Sequence, residues 1–382
     1  MKSHRRIRIR LTLSLVFLWP LLTRADALSQ WFNRSFPNAS GYNYSLSGIT
    51  FANNLFVAVG SSGSFGIILT SPDGAVWTAR HPQNIAFDTL SVNGVAYGTN
   101  LFVGVGASGG LARSADGLNW FYGQITNSAT EFSGVTYGGG LFVAVGNGFP
   151  LAQTNIATSA DGLKWTERRG LLNPLSRVAY GNAEYVAVGG GGLVRSVAGT
   201  TWTSVNAGVF YDLAFGNGLF VISGPTGLSV RGLAGGLTLI TNSVVRAVTF
   251  AAGTFVAAAT DGSSMLTSTN GTNWTARATA PPLGWGPSAL GYGVGTFVAV
   301  ASPNRLAQSA AVAELMRGNA PGEFRLKGLA GRVYRLEGRD AFHTNAPWLA
   351  LTNLLLTNPP QTWTDPQGSG QPRRFYRAQL LP

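Results

Sequence analysis

The hydrophobic positions of this chain form a pattern of thirteen residues that recurs seven times. Each copy contains a short apolar stretch, a turn rich in Gly and Asn, and a second apolar stretch of the FVAVG type. The copies begin at Gly48, Gly94, Gly134, Arg177, Asp212, Ala247 and Ala289. Glycine and asparagine accept the positive φ angles of tight turns, so each copy predicts a β-hairpin. The second stretch is apolar at every position, which indicates a strand buried on both faces.

Every copy also keeps two aromatic residues, one before the turn and one after it. The first is Phe51, Tyr97, Tyr137, Tyr180, Phe215, Phe250 or Tyr292, and the second is Phe56, Phe102, Phe142, Tyr185, Phe220, Phe255 or Phe297. These residues are the predicted anchors of the hairpins in the core.

Most copies continue into a third strand, a turn and a tryptophan. The segments are SPDGAVW from Ser71, SADGLNW from Ser114, SADGLKW from Ser159, SVAGTTW from Ser196 and STNGTNW from Ser268. Ser and Asp side chains bond to the backbone of such turns, glycine takes the left-handed conformation, and tryptophan buries a large surface. We predict this structural role for Ser71, Asp73, Trp77, Ser114, Asp116, Trp120, Ser159, Asp161 and Trp165. The fifth copy lacks the tryptophan over residues 231–237 and is the predicted weakest unit.

Repeats spaced by about forty residues are typical of four-stranded propeller blades, and seven blades suit a closed ring. The seventh copy stops near Ser309 without its tryptophan strand, and residues 31–34 are similar to residues 165–168. We therefore predict that an N-terminal strand completes blade seven and removes open sheet edges, which promote aggregation. The predicted fold is all-β, a seven-bladed β-propeller closed by an N-terminal outer strand.

The turn segments resemble the Asp-box, or BNR, repeat of a propeller superfamily that includes sialidases, sortilin-type receptors and photosystem II assembly factors. The resemblance covers about residues 29–312. The common Asp-box has the spacing S-x-D-x-G-x-x-W, and here one residue fewer separates the aspartate from the glycine. This spacing is closest to that of uncharacterised secreted bacterial propellers with TSPDGxxW repeats. The resemblance implies the propeller fold and does not carry sialidase chemistry to this chain.

Beyond residue 312 the pattern changes into five predicted strands, GEFRLKG, GRVYRLEGR, WLALTNLLLT, QTWTDP and PRRFYRAQLL. Alternating residues such as Val333, Tyr334 and Leu336 suit a small C-terminal β-sandwich-like module with one wet face. We therefore divide the chain into a signal peptide over 1–27, a propeller over 28–312 and a C-terminal β module over 313–382. The module resembles those that end many secreted bacterial repeat proteins, which implies surface attachment or sorting.

Residues 1–27 have the order of a signal peptide, with basic residues up to Arg10, an apolar run over 11–22, and small residues at Ala25 and Ala27. The apolar run is about half the roughly twenty residues that a membrane-spanning helix requires. We expect cleavage after Ala27, no transmembrane segment in the mature chain, and a secreted or extracytoplasmic location in the periplasm or at the cell surface. The chain has no cysteine, so disulfides and thiolate metal sites do not contribute to its stability.

The formal net charge is +12, and the predicted signal peptide holds part of it in Lys2, Arg5, Arg6, Arg8, Arg10 and Arg24. Along the predicted propeller the basic residues are scattered singly, whereas nucleic-acid binders cluster them on a stripe with aromatic residues for stacking. We therefore expect a monomer with no nucleic-acid partner, whose ligand is a protein or a cell-envelope glycan. No cofactor and no metal are expected.

Catalytic residues are not predicted, because an enzyme needs groups that converge. Asp73, Asp116 and Asp161 occupy the same turn of successive blades and would lie far apart around the rim. The glutamates of the predicted propeller are Glu131, Glu167 and Glu184, and its only histidine is His81. No nucleophile-elbow motif accompanies that histidine.

The connections between blades and the loops before the third strands vary in length and content. Both open on one face of a propeller, the variable-loop face, and binding residues are common on such loops. Arg177 and Asp212 begin inner strands on this face, and Tyr211 and Arg246 come directly before such strands. These four are the candidate ligand-binding residues, which would converge at the channel mouth. The favoured interpretation of Arg177 and Asp212 is an ion pair that joins adjacent blades, since such pairs commonly have only structural roles.

Phe149 and Trp285 lie in the two most hydrophobic insertions, where they offer stacking surface for a sugar or peptide, or form loop cores. The resulting hypothesis is an exported, non-enzymatic binding or scaffolding propeller that engages a protein or glycan on its variable-loop face. The first alternative, a divergent sialidase-like glycoside hydrolase or lyase, requires two carboxylates within about 10 Å in one polar pocket. The second, a purely structural envelope or matrix protein, requires no concave polar pocket on that face.

Overall fold

The structure is a computed structural model of the chain. It describes residues 28, 30–36, 43–63, 65–80, 91–125, 128–148, 154–169, 174–232, 236–279, 282–310, 314–318, 320, 322–327, 332–339, 348–357, 361–366 and 375–380. The predicted signal peptide, His81 and Phe149 lie outside these residues. Within the described ranges, no helix has the length and apolar character that a membrane crossing requires.

Seven antiparallel four-stranded sheets contain the seven predicted copies in turn. The first strand of the chain, β1 (Trp31–Asn33), belongs to the last of these blades. Blade 1 consists of β2 (Ser45–Ala52), β3 (Leu55–Ser62), β4 (Phe65–Ser71) and β5 (Thr78–Arg80); blade 2 of β6 (Val92–Gly98), β7 (Leu101–Gly106), β8 (Gly110–Ser114) and β9 (Phe121–Gln124); blade 3 of β10 (Thr130–Gly138), β11 (Leu141–Gly148), β12 (Thr154–Ser159) and β13 (Thr166–Arg169). One 3-10 turn, Ala107–Gly109, connects β7 to β8.

Blade 4 consists of β14 (Arg177–Gly181), β15 (Glu184–Gly189), β16 (Gly192–Ser196) and β17 (Thr203–Asn206); blade 5 of β18 (Asp212–Gly216), β19 (Leu219–Gly224), β20 (Gly227–Arg231) and β21 (Thr238–Thr241); blade 6 of β22 (Val245–Ala251), β23 (Thr254–Ala259), β24 (Ser264–Ser268) and β25 (Thr275–Ala278); blade 7 of β26 (Ala289–Gly293), β27 (Thr296–Ala301), β28 (Arg305–Ser309) and β1. The inner strands contact one another around the whole ring, from β2 through β6, β10, β14, β18, β22 and β26 back to β2. The chain is a seven-bladed β-propeller, as predicted.

The hairpins turn on residues with positive φ, as their Gly and Asn content predicts. In blade 1, φ of Asn53 is 48°, and in blade 3, φ of Gly140 is 80°. Two turns place β-branched residues in this region, Thr99 with φ 48° and Val294 with φ 43°. A branched side chain crowds the backbone there, so these two positions carry local strain.

Neighbouring blades pack through the apolar second strands and the tryptophans. Trp120 of blade 2 is fully buried in one cluster with Val57, Val59 and Ile68 of blade 1. Nearer the axis, the aromatic residue before each hairpin turn covers the preceding blade. A Cβ at Gly98 would lie 2.1 Å from the Tyr137 ring, and Gly138, Gly181, Gly216 and Gly293 bear the same relation to Tyr180, Phe215, Phe250 and Phe51. Glycine at this position therefore allows the aromatic residues to wedge the blades together.

The turns between third and fourth strands are held by their own side chains. Ser71 Oγ accepts the N–H of Gly74 at 2.8 Å, Asp73 Oδ1 accepts the N–H of Val76 at 3.0 Å, and Trp77 Nε1 donates to the Gly74 carbonyl at 2.9 Å. Equivalent bonds form at Ser114, Asp116 and Trp120 and at Ser159, Asp161 and Trp165. The backbone N–H groups of Asn119 and Lys164 hold the pKa of Asp116 and of Asp161 below its ordinary value.

Blade 5 replaces this turn with an ion cluster. Arg231 occupies the place of Ser71, since it pairs with Phe220 as Ser71 pairs with Phe56. Its guanidinium donates twice to Glu184 of blade 4, and Arg195 Nη1 lies 3.2 Å from the same carboxylate. Arg231 and Glu184 are buried, whereas Arg195 is exposed. Electrostatic pairing therefore joins blades 4 and 5. At the equivalent place between other blades, a turn glycine packs on a leucine, as Gly117 of blade 2 packs on Leu55 of blade 1.

The N-terminal strand closes blade 7, as predicted. Trp31, Phe32 and Asn33 pair antiparallel with residues 307–309 of β28. Trp31 is 1% exposed, and its indole N–H donates to the Leu28 carbonyl at 2.9 Å, as the blade tryptophans donate to the residue three positions before them. Gln308 continues the seam into blade 1, because its Nε2 donates to the Asp73 carbonyl at 2.7 Å.

Beyond the propeller the chain forms two three-stranded sheets. One contains β29 (Glu314–Arg317), β30 (Glu323–Lys327) and β33 (Gln361–Thr364), and the other contains β31 (Arg332–Arg339), β32 (Leu349–Leu356) and β34 (Phe375–Leu380). Their core holds Leu326, Tyr334 and Leu336. Five of these strands match the five predicted ones. β29 was not predicted, because four residues without alternation give little signal until they pair with β30.

Candidate functional site

A cavity of about 350 Å³ lies on the propeller axis, enclosed by the seven inner strands. Residues near the beginning of these strands line it, including Ser47, Asn93, Ser133, Arg177, Asp212, Val248 and Ala289. The inner strands begin at the variable-loop face, so the polar part of the cavity lies toward that face. A concave polar pocket is therefore present where the sequence placed the channel mouth.

Glycines bring the inner strands of blades 1 to 4 close together at this mouth. A Cβ at Gly134 would lie 2.7 Å from the Ser176 carbonyl oxygen, and a Cβ at Gly94 would lie 3.0 Å from the Ser133 carbonyl oxygen. No side chain from these positions enters the mouth, which leaves space for the one long side chain among the equivalent positions, that of Arg177.

Arg177 spans the mouth from blade 4 to the opposite blades. Its Nη2 donates to the Ser47 carbonyl of blade 1 at 3.0 Å, and its Nη1 donates to the carbonyls of Ser133 at 3.2 Å and Ser176 at 3.0 Å. Its Nε lies 3.7 Å from Asp212 Oδ1 of blade 5. With three carbonyls and one carboxylate around it, the guanidinium acts as a brace between blades.

Asp212 extends the same network to blade 6. Its Oδ1 accepts the N–H of Leu213 and its Oδ2 accepts the N–H of Val248, both at 2.9 Å. Burial raises the pKa of Asp212 to about 6, while Arg177 and the two N–H groups oppose that rise. At neutral pH the carboxylate is therefore ionised and paired with Arg177.

Two further polar side chains complete the connection on the other side. Ser47 Oγ donates to the Asn93 carbonyl of blade 2 at 2.9 Å, and Asn93 Nδ2 donates to the Phe132 carbonyl of blade 3 at 3.0 Å. Together with Arg177 and Asp212, they link blades 1 to 6 by hydrogen bonds and one ion pair. The arrangement favours the interpretation that Arg177 and Asp212 join adjacent blades, and it leaves neither side chain free for a ligand.

Tyr211 and Arg246 lie beside this network, outside the cavity lining, and both are exposed. The Tyr211 N–H donates to the Ser223 carbonyl at 2.9 Å, and Ser223 Oγ lies 3.4 Å from the Arg246 carbonyl, so the two residues flank one turn of blade 5. The structure adds Val209 and Val244, which are 49% and 40% exposed and which we did not predict. The only sequence feature that could have indicated them is an apolar residue in a connection between blades. The sequence does not distinguish an exposed loop valine from a buried one.

Trp285 is not available for stacking, because it is 9% exposed and belongs to a core cluster with Leu283 and Met265. Its loop packs on the turn of blade 6, where a Cβ at Gly262 would lie 2.1 Å from the Trp285 carbonyl oxygen. The described geometry therefore gives Trp285 the role of a loop core, the alternative considered from the sequence. Phe149 lies outside the described residues.

Known proteins share the fold of this chain. Virginiamycin B lyase from Staphylococcus aureus, solved with quinupristin, has a TM-score of 0.60 at 12% identity, covering 74% of this chain and 99% of the lyase chain. YCF48 bound to D1 peptide has a TM-score of 0.57 at 14% identity, with 74% and 97% covered. The WD40 repeats of RRP9 have a TM-score of 0.57 at 10% identity, with 73% and 97% covered. No protein-family model and no curated protein matches the sequence.

The cavity lining constrains the chemistry that this site offers. Asp212 is the single carboxylic acid among the described residues that line it. The two carboxylates that acid–base cleavage of a glycosidic bond requires do not meet there. The lining offers hydrogen-bonding groups, and the surface beside it offers exposed apolar side chains and a cation.

Proposed function

We propose that this chain is an exported binding propeller that holds a segment of a partner protein on its variable-loop face. The observation that carries this proposal is the surface formed by Val209, Tyr211, Val244 and Arg246, which we call the mouth patch. Tyr211 and Arg246 are exposed beside the turn between β19 and β20, near the mouth that Arg177 and Asp212 brace, and the exposed Val209 and Val244 precede them by two residues each. Loops held on a rigid scaffold are where propellers and other repeat folds bind.

The chemistry of the mouth patch suits a protein segment. Tyr and Arg are enriched among residues that dominate protein interfaces, because each combines a large contact area with directed hydrogen bonds. Arg246 forms no ion pair with any described residue, so its charge is available to an acidic partner. We therefore expect a segment that places a carboxylate beside an apolar side chain.

Other observations support the proposal. The solved complex of YCF48 with D1 peptide is an example of a propeller of this fold that binds a peptide. The alternatives have less support, because the lining has one carboxylate where a hydrolase needs two, and it forms a concave polar pocket where a purely structural protein needs none. The turns at Ser71, Ser114 and Ser159 also favour kinship with the Asp-box propellers.

Export is part of the same proposal. Cleavage after Ala27 would keep Leu28, whose carbonyl accepts the Trp31 indole N–H, so every described contact of the closing strand would survive. N-terminal mass spectrometry of the protein from a fractionated bacterial host tests this point. A mature chain that begins at Leu28 in the extracytoplasmic fraction is the expected result, and an uncleaved cytoplasmic chain contradicts export.

Selection from a random library of phage-displayed peptides tests the binding proposal. The wild-type chain is expected to enrich peptides that combine acidic and apolar residues. A Tyr211→Ala, Arg246→Ala variant is expected to lose roughly tenfold or more in affinity for those peptides, the effect of one interface hot spot. The matched control is Val76→Ser, Val197→Ser, which removes two exposed apolar side chains from the opposite face.

A glycan array run with the same proteins separates the two kinds of ligand. Peptide binding that falls in the mouth-patch variant and persists in the control supports the proposal. Equal loss in both variants, or no enrichment by the wild-type chain, contradicts it. Glycan binding that depends on Tyr211 would assign the patch to a sugar and contradict the protein segment.

A further inference from the structure

Arginines that are scattered along the sequence recur at one place in the structure, the outer part of the blades. In blades 1, 3 and 6, the third residue after the tryptophan is an arginine whose Nε donates to a threonine hydroxyl of the third strand. The pairs are Arg80 with Thr70 at 2.8 Å, Arg168 with Thr158 at 3.0 Å and Arg277 with Thr267 at 2.8 Å. In blade 7, Arg34 Nε donates to Gln308 Oε1 at 2.9 Å.

Blade 2 supplies the same group from a different strand. Its outer strand has Gly123 at the arginine position, and Arg113 of β8 stands where the other blades have threonine. A Cβ at Gly123 would lie 3.6 Å from Arg113 Nη2, so this guanidinium fills the space left by the glycine. A guanidinium is therefore present at this place although its strand of origin differs.

Packing between the blades does not require this charge. In blade 5, Val230 takes the threonine position and packs against the core of blades 5 and 6. Blade 4 has Val205 at the outer-strand position, packed against the core of blades 4 and 5, and Arg195 at the threonine position. An apolar side chain thus serves the structural need. The recurring guanidinium calls for a second explanation, namely a surface that uses its charge.

The charge is confined to one side of the ring. In blades 4 and 5, Glu184 neutralises Arg195 and Arg231. Blades 6, 7, 1, 2 and 3 follow one another around the ring and carry the half-buried residues that we call the arginine arc: Arg277, Arg34, Arg80, Arg113 and Arg168. In the described third and fourth strands of these five blades, Glu167 is the single acid. The turns between these strands in blades 1, 2 and 3 hold Asp73, Asp116 and Asp161, whose Oδ1 atoms accept backbone N–H groups.

Two exposed aromatic rings accompany the arc. Phe32 is 47% exposed, with the Arg34 guanidinium carbon 5.5 Å from its ring centre, and Phe121 is 52% exposed and pairs across the strands with Arg113. A guanidinium offers a planar fork that matches a carboxylate, and an aromatic face offers an apolar plane. We propose that the arginine arc binds a linear acidic polysaccharide, with the guanidinium groups on uronate carboxylates and the two phenylalanines against sugar faces.

The arc suits a polysaccharide better than a nucleic acid. Single-stranded nucleic acids are held by aromatic rings that stack on successive bases along a basic groove. Here the rings lie on blades 7 and 2. In blade 1 between them, the outer strand Thr78–Arg80 contains no ring, and the exposed Phe65 lies at the start of β4, three residues before Ile68, which pairs with Arg80. This interval leaves bases without partners, whereas a carboxylated chain needs only cations at intervals.

Binding of immobilised polygalacturonate by the full chain, measured at low salt and at about 0.15 M salt, tests the proposal. The wild-type chain is expected to bind, and more weakly at the higher salt. An Arg80→Gln, Arg168→Gln variant is expected to lose roughly tenfold in affinity. The matched control, Arg305→Gln, Arg317→Gln, removes the same two charges from exposed positions outside the arc and is expected to change affinity less than about twofold.

Several outcomes would overturn the proposal. They are no binding of polygalacturonate by the wild-type chain, an equal loss in both variants, and tighter binding of single-stranded DNA than of polygalacturonate. If the Arg80→Gln, Arg168→Gln variant does not fold, the single change Phe121→Ser replaces it, because Phe121 is exposed. Phe121→Ser is expected to weaken polygalacturonate binding without unfolding the chain. None of these variants touches the mouth patch, so this test and the peptide selection succeed or fail separately.

Discussion

At the scale of single residues, the hairpin turns show where the sequence departs from the best local choice. Thr99 is exposed and has φ 48°, a conformation that asparagine adopts with less strain because its side chain is not branched at Cβ. We expect Thr99→Asn to raise the free energy of unfolding by about 1 kcal/mol, measured by urea denaturation. Gly140→Thr is the reverse control, since its added Cβ would meet no atom within 4 Å, and it should lower stability. A stable Gly140→Thr variant would contradict the strain argument.

Asp212 gives a second prediction at this scale, for pH dependence. Its pKa of about 6 lies above the ordinary 3.8 because the group is buried, so between these values the folded chain binds more proton than the unfolded chain. Stability due to Asp212 is therefore present below pH 4 and falls as the pH rises to about 6, by at most about 3 kcal/mol. Unfolding free energies of the wild type minus those of Asp212→Asn should decrease over this window.

The turn aspartates act in the opposite direction and in a lower pH range. Backbone N–H groups lower the pKa of Asp116 and Asp161, so their contribution is lost only as the pH falls below about 4. A wild-type advantage over Asp212→Asn that increases from pH 4 to pH 6 would show that the raised pKa is wrong.

At the scale of the element, blade 5 shows how a repeat survives the loss of its motif. Glu184→Leu alone leaves Arg231 buried without its carboxylate and is expected to cost about 3–5 kcal/mol. Adding Arg231→Ser gives blades 4 and 5 the pair found between other blades, a leucine next to a turn that begins with serine. This second change should recover most of the lost free energy of unfolding. Arg195→Gln, on the exposed member of the cluster, is the control and should cost under about 1 kcal/mol. A double variant as unstable as Glu184→Leu would contradict this account.

At the scale of the whole molecule, three residues of β1 close the ring. Trp31→Ala removes a buried side chain from the seam and is expected to cost about 3–5 kcal/mol and to expose the edge of β28, which promotes aggregation. Thermal unfolding with light scattering measures both effects. Phe32→Ala, at the exposed neighbouring position, should leave the melting temperature nearly unchanged. Equal behaviour of the two variants would show that the seam does not limit stability.

The fold could be predicted further than the site, because the sequence repeats the blade and does not repeat the site. Seven copies of one hairpin made the blade count and the N-terminal closure predictable, because each blade repeats the same local chemistry. The site was less predictable, because Arg177 reaches Ser47, 130 positions away, and only the closed ring brings them together. The exposure of Val209 and Val244 and the burial of Trp285 depend equally on how loops fold back. Arginines that are scattered along the sequence lie at one place in the blades, and their separation in the sequence concealed it.

The seam has a consequence for the order of events in the life of the chain. Arg34 and Gln308 bond across 274 positions, so the first blade strand to be synthesised pairs with the last third strand to be synthesised. Until Ser309 has emerged, β1 lacks its complete partner strand and the outer edge of blade 7 is open. If the chain crosses a membrane from its N-terminus, β1 crosses first and stays unpaired until β28 has followed. The closed seam is thus a property of the completed propeller, which no chain that ends before Ser309 shares.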